Sequence, residues 1–141
     1  MIFIDTTIWV SAADESDNLH TDGSAVIKAL SEERLSRAVT TDFVLDETLT
    51  ILRKRHAKSS SISKIAGNIL SSSKILIVYV DAQLFMDSLI TFKKYQSVSF
   101  TDSVSLTVMR QLKIREIYSH DGDFDLKGFV RKERPDPAVN V

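Results

Sequence analysis

The chain has 141 residues, 43% apolar and 26% charged, with a net charge of −1 and no cysteine. One domain of this size buries enough surface for a real core, and the composition excludes a disordered chain, a disulfide scaffold and a thiolate metal site. The near-neutral balance excludes a protein that holds nucleic acid by overall charge, so any such contact must rest on local basic patches or on a metal ion.

Ile2 to Ile4 reads as a short apolar strand, and Thr7 to Ala13 as a helix running into an acidic loop. The opening lacks a basic leader, so no secretory signal is expected, and the absence of cysteine fits a reducing cytoplasm. His20 to Glu33 is a helix with Ala25, Ile27 and Leu30 turned inward. Ala38 to Thr40 is a strand, followed by a strong helix over Asp42 to His56 with Leu45, Leu49 and Leu52 at helical spacing. Asp42 is its expected N-cap. The run Arg53 to Lys58 is the densest basic stretch and reads as a solvated helix end.

Ser59-Ser60-Ser61 signals a helix start, with Ile62 to Leu70 following and Ser71-Ser72-Ser73 breaking the pattern. Ile75 to Val80 is β-branched and apolar, as expected of a strand buried on both faces in a parallel sheet, and is far too short to span a bilayer. Helices follow over Asp81 to Lys94 and Thr101 to Leu112. Glu116 to Ser119 is a strand, Phe129 to Arg131 a short edge strand, and Pro135-Asp136-Pro137 loop. No repeat or linker interrupts residues 1–141, so one domain is expected. The alternation of strands and helices predicts an α/β fold with a central parallel sheet covered on both faces.

In such sheets, sites lie outside the carboxyl ends of the strands. Four acidic residues fall at these junctions: Asp5, Glu47, Asp102 and Asp121. Each also has an ordinary structural use. Asp5 follows a strand and can cap a helix. Glu47 lies one turn from Val44 and from Ile51, on an apolar-flanked face where a carboxylate needs a partner. Ser99-Phe100-Thr101-Asp102 has capping-box spacing. Asp121-Gly122 suits a turn. The triple Asp121, Asp123, Asp125 is like a calcium loop, but Leu126 and Lys132 stand where that loop needs Gly and Glu. His20, His56 and His120 read as surface or loop residues. Carboxylates converging on one cleft repel by roughly 4 kcal/mol per pair at about 4 Å, so the cluster calls for a cation, and an all-oxygen site suits Mg²⁺ or Mn²⁺. This chemistry points to metal-assisted attack on a phosphate ester.

Together the segments Ile-Phe-Ile-Asp-Thr-Thr, Thr-Asp-Phe-Val-Leu-Asp-Glu, Thr-Asp-Ser-Val-Ser and Ser-His-Asp-Gly-Asp-Phe resemble the PIN-domain ribonuclease family, particularly its short VapC-like toxin members. The resemblance implies a three-layer α/β/α fold and Mg²⁺- or Mn²⁺-dependent endonucleolytic cleavage of RNA. It implies metal-site roles for Asp5, Glu47, Asp102 and Asp121, with Asp123 an auxiliary ligand and Thr6 and Ser119 orienting carboxylates. Ser119 departs from the Thr that many members carry. A homodimer and a small antitoxin partner are expected, the former also from an apolar helix pair, Ile62 to Leu70 and its neighbour. Two rival readings remain open: a catalytically silent PIN-like binding module, and a phospho-acceptor receiver domain with Asp81 as acceptor.

Overall fold

A computed structural model describes residues 1–138. The strands are β1 (Ile2–Ile4), β2 (Ala38–Thr41), β3 (Ile75–Val78), β4 (Glu116–Tyr118) and β5 (Val130–Lys132). The helices are α1 (Thr6–Ala13), α2 (His20–Ser31), α3 (Asp42–Lys54), α4 (Ser59–Ser71), α5 (Ala82–Lys94) and α6 (Phe100–Gln111), with a 3₁₀ turn over Gly122–Phe124. The five strands form one sheet in the order β3-β2-β1-β4-β5, and every pairing is parallel. This is the expected three-layer α/β/α arrangement. α1 packs on both α2 and α3, α3 on α4 and α6, and α5 on α6.

The central strands are β1, flanked on both edges, and its neighbours. Ile2, Phe3 and Ile4 are all buried, with Val39, Ile117, Val104, Leu106 and Phe124 in the same core. Burying each such side chain contributes about 1.5–3 kcal/mol. The chain leaves β1 toward β2 and β3 on one side, then returns across to β4 and β5 on the other. The order therefore reverses between β1 and β4, which is where an open α/β sheet forms a crevice at its carboxyl edge.

Several local expectations need correction. β3 ends at Val78, and its residues are only half-buried. It is an edge strand paired to β2 alone, so its apolar composition reflects packing on one edge rather than burial on both faces. The N-cap of α3 is Thr41, whose side chain accepts from the Val44 N–H at 3.1 Å. Asp42 instead accepts from Phe43 N and from Val80 N, tying α3 to the segment after β3. The serines 59–61 form the first turn of α4 and do not cap it: Lys58 is the cap residue and its side chain accepts nothing. Ile62 and Ile69 of α4 are buried, and the exposed apolar face lies on α5, where Met86 and Ile90 are 58% and 70% exposed. The apolar residues of α4 are thus partly used inside the fold, while Leu70 at its end stays 55% exposed.

α1 and α2 meet very closely at Gly23. A Cβ there would lie 2.1 Å from Ser11 Oγ and 2.8 Å from the Ala12 nitrogen. No helix among the described residues is long and apolar enough to cross a membrane.

Candidate active site

β1 delivers Asp5 to the crevice. Asp5 N donates to the Tyr118 carbonyl at 3.1 Å, which sets the first residue after β1 beside the end of β4. Asp5 caps α1 through Thr7 N, and only 2% of its surface is exposed. β4 delivers Ser119, fully buried beside it. Ser119 Oγ donates to Asp5 Oδ2 at 2.8 Å and accepts from Asp121 N at 3.0 Å. One hydroxyl thereby fixes two acidic residues that lie 116 positions apart in sequence.

Thr7 adds a second brace. Its Oγ1 donates to Asp5 Oδ2 at 3.0 Å and accepts from His120 N at 2.9 Å. Across the crevice, α3 carries Glu47, and Thr6 Oγ1 donates to Glu47 Oε2 at 2.6 Å. α6 carries Asp102 in its first turn, inside a complete capping box with Ser99. Asp121 caps the 3₁₀ turn by accepting from Asp123 N at 2.9 Å.

Asp5, Glu47, Asp102, Asp121 and Asp123 line a single cleft of about 270 Å³, together with hydroxyls of Thr6, Thr7 and Ser99. No Lys, Arg or His lines it, and none of the five acids forms an ion pair among the described residues. The bonding pattern is asymmetric in the same sense four times. Asp5 takes its side-chain donors on Oδ2, Asp102 on Oδ2, Asp121 on Oδ1 and Glu47 on Oε2. The second oxygen of each has no protein partner among the described residues.

Electrostatics follow from that geometry. Burial pushes the Asp5 carboxyl above its ordinary range, against the lowering effect of Ser119 and Thr7. Burial, reinforced by the charge of Asp5 and weakly by that of Asp121, pushes Asp102 up to about 7. Burial without a compensating cation is the main cause, and for Asp102 the neighbouring carboxylates add to it. The donor set is all oxygen and lacks a counter-charge, which fits a hard divalent cation. The acids share the cleft but are not closed into a group of three at ligating distance among the described residues.

The structure thus brings every sequence-predicted acid to one place, with Asp123 at its exposed rim. Asp81 stands outside the cleft as the N-cap of α5, accepting from Leu84 N at 2.8 Å. Thr6 and Ser119 hold carboxylates as expected. Thr7 was missed; a Thr two residues after a capping Asp was the available signal. His120 is not a surface residue: its Nε2 meets Ser11 Oγ at 3.1 Å and its Nδ1 is buried without a partner. Burial holds its pKa below the usual value. His20 is likewise half-buried, with Nδ1 against the Ser11 carbonyl at 2.8 Å.

A model of the PIN domain family matches residues 2–130. The 23S rRNA-specific endonuclease VapC20 of Mycobacterium tuberculosis is 32% identical over 132 residues, spanning 92% of this chain and 96% of that protein. A VapC ribonuclease of Archaeoglobus fulgidus is 31% identical over 126 residues, spanning 87% of this chain and 78% of that protein. The crystal structure of the M. tuberculosis VapC20 protein, described as a sarcin-ricin loop cleaving toxin, superposes with a TM-score of 0.81 at 30% identity, covering 96% of this chain and all of that one. VapBC2 of Rickettsia felis, bound to a promoter DNA fragment, shares the fold with a TM-score of 0.66 at 13% identity, over 94% of this chain and 98% of that one. This chain belongs to the PIN domain family.

Proposed function

We propose that this protein is an endoribonuclease that hydrolyses RNA phosphodiester bonds with Mg²⁺ or Mn²⁺, and that it is the toxin of a toxin–antitoxin pair. The observation that carries the reading is the acid cleft. Four carboxylates each have one oxygen tethered and one without a protein partner, in a cleft with no basic side chain. RNA as substrate and the toxin role are supported by the relatives, named a 23S rRNA-specific endonuclease, a VapC ribonuclease and a sarcin-ricin loop cleaving toxin.

Asp5, Glu47, Asp102 and Asp121 would hold the cation, with Asp123 auxiliary at the rim. A divalent ion there supplies charge for the scissile phosphate and makes water more acidic. The chain's own residues do the positioning. Ser119 and Thr7 fix the Asp5 carboxylate through Oδ2, leaving Oδ1 for coordination. Thr6 fixes Glu47 in the same way through Oε2. Such supporting bonds hold ligand orientation and are worth 10–100-fold in affinity or activity. With its carboxyl pushed up to about 7, Asp102 is partly protonated near neutral pH without metal and must give up that proton on coordination.

A homodimer is proposed on the α5 face, where Phe85, Met86, Ile90 and Phe92 are 42–70% exposed. Phe85 and Phe92 pack against Phe100, and the exposed Met86 and Ile90 beside them support this reading. A small antitoxin is the second partner proposed, and a short reading frame directly upstream of the gene would support it.

The test of the activity is cleavage of end-labelled RNA by purified protein with Mn²⁺ and with chelator. Cleavage should require the metal and vanish in Asp5→Asn and Asp121→Asn, with unchanged circular dichroism. Full cleavage in chelator, or by Asp5→Asn, would overturn the reading.

A further inference from the structure

Beside the acid cleft lies a second concavity of about 190 Å³. The two share Thr6, Thr7 and Ile51 in their linings, so they adjoin. Its apolar sides are Val10, Leu19 and Ile51, and its polar lining is Arg55 and Asp17 together with His120 and the shared Thr6 and Thr7. Glu47, Ile51 and Arg55 recur every four residues along α3 and its C-cap. They therefore follow one face of the helix, from the acid cleft into the second concavity.

Arg55 is held but not used up. Its Nη1 donates to Asp14 Oδ2 at 2.9 Å and to Asp17 Oδ2 at 2.7 Å. Its Nε and Nη2 have no partner among the described residues. One guanidinium between two carboxylates leaves this end of the concavity net negative. A phosphate group is disfavoured there. A flat neutral group with acceptors on one edge is favoured, because apolar walls take its faces and the unbonded fork takes its edge.

We propose that this concavity is a nucleobase pocket and that it selects guanine at a nucleotide close to the cleaved bond. Guanine presents two acceptors, O6 and N7, on one edge, and a guanidinium fork pairs with both. Adenine presents a donor in place of O6, and the pyrimidines lack N7. The Asp14 and Asp17 carboxylates serve by aiming the fork. This rests on the ribonuclease reading above and adds to it a specificity element of this chain.

The test is cleavage of an RNA pool with a randomised segment, with Mn²⁺ and sequencing of the ends. Within each protein the readout is the ratio of guanine to adenine at each position around the cut. Wild type should favour guanine about tenfold at one fixed position. Arg55→Lys keeps a cation for Asp14 and Asp17 but loses the fork, and Leu19→Trp fills the pocket; both ratios should fall to within about twofold of unity. Replacing guanine by 7-deazaguanine should lower wild-type cleavage as much as replacing it by adenine. A binding arm reads the pocket without cleavage: Asp5→Asn protein should hold an oligoribonucleotide with a single guanine about tenfold more tightly than its adenine counterpart, and Asp5→Asn/Arg55→Lys should not. Equal guanine and adenine ratios in wild type, or an unchanged preference in both pocket variants, would overturn the pocket. Failure of wild type to cut any RNA, with guanine-selective binding intact, would overturn the ribonuclease reading and leave the pocket standing.

Discussion

Replacing Asp102 by Asn should stabilise the metal-free protein at neutral and higher pH. Asp102 is 8% exposed, and its carboxyl is pushed from 3.8 to about 7, first by burial and then by the charge of Asp5. The folded state therefore binds this proton more tightly than the unfolded chain does. Below pH 3.8 the group is protonated in both states and costs nothing. The cost grows as pH rises from there and is complete above about 7. At about 1.4 kcal/mol per pH unit the ceiling is about 4 kcal/mol. The cleft is open to water on one side, and screening lowers that figure to about 2 kcal/mol.

Asn removes the charge and keeps the cap, because its amide oxygen can still accept from Ser99 N, as Asp102 does at 3.2 Å. In chelator at pH 8, Asp102→Asn should melt above wild type by about 4 °C per kcal/mol. At pH 3.5 the two should coincide. Excess Mn²⁺ at pH 7.5 should raise the wild-type melting temperature by linkage, and the variant should gain less. Thermal melts across pH, with and without metal, decide the matter. If wild type gains nothing from Mn²⁺ and Asp102→Asn is plainly less stable in chelator, then Asp102 is a structural cap and the electrostatic argument fails.

Three other outcomes are expected. Ser119→Ala should lower metal-dependent cleavage by about 10–100-fold, because Asp5 and Asp121 both lose a brace; full activity would show that the brace is idle. Gly23→Ala should destabilise by about 1–3 kcal/mol despite better helix propensity, because the Ala12 backbone cannot yield as a side chain can, and an unchanged melting temperature would contradict the close approach. Ile90→Glu should shift sedimentation toward the monomer without changing the melting curve of the isolated fold. A wild type that is strictly monomeric at high concentration would remove the α5 interface.

The sheet was legible because its strands are short apolar runs set between amphipathic helices. Phe3 and Val39 are fully buried at the centre of the sheet. β3 misled for a related reason: Ile75 to Val78 has the same composition as a central strand, and only the strand order puts it at the edge. Composition records burial propensity but not which neighbours arrive. The acids were legible because Asp5 and Asp121 come just after strands, Asp102 opens a helix and Glu47 lies on the helix that follows β2, and parallel strands send their carboxyl ends to one side. His120 was not legible. Its burial depends on Ser11 and Thr7, more than 100 residues away, and no local pattern encodes that contact.

Reading the acids as helix caps and reading them as a site are not competing accounts. Asp5 caps α1, Asp102 closes the box of α6 and Asp121 caps the 3₁₀ turn. A cap bond engages one carboxylate oxygen and sets the side-chain rotamer. It also places the charge at the positive end of a helix, which offsets part of the repulsion from its neighbours. The α1 and α6 starts can do this for Asp5 and Asp102; the three-residue turn at Asp121 can do so only weakly. Yet burial first, and the charge of Asp5 second, still push Asp102 up to about 7, so the caps do not fully offset the cost of its ionised form. What they accomplish is geometric. They hold one oxygen of each carboxylate and leave the other without a protein partner, in a cleft with no cationic side chain. A purely structural set of caps has no reason to converge at the switch point of the sheet, where each added charge raises the cost of the others. Convergence there is intelligible if a cation supplies the missing charge, and the caps then keep the ligands close to position before it arrives.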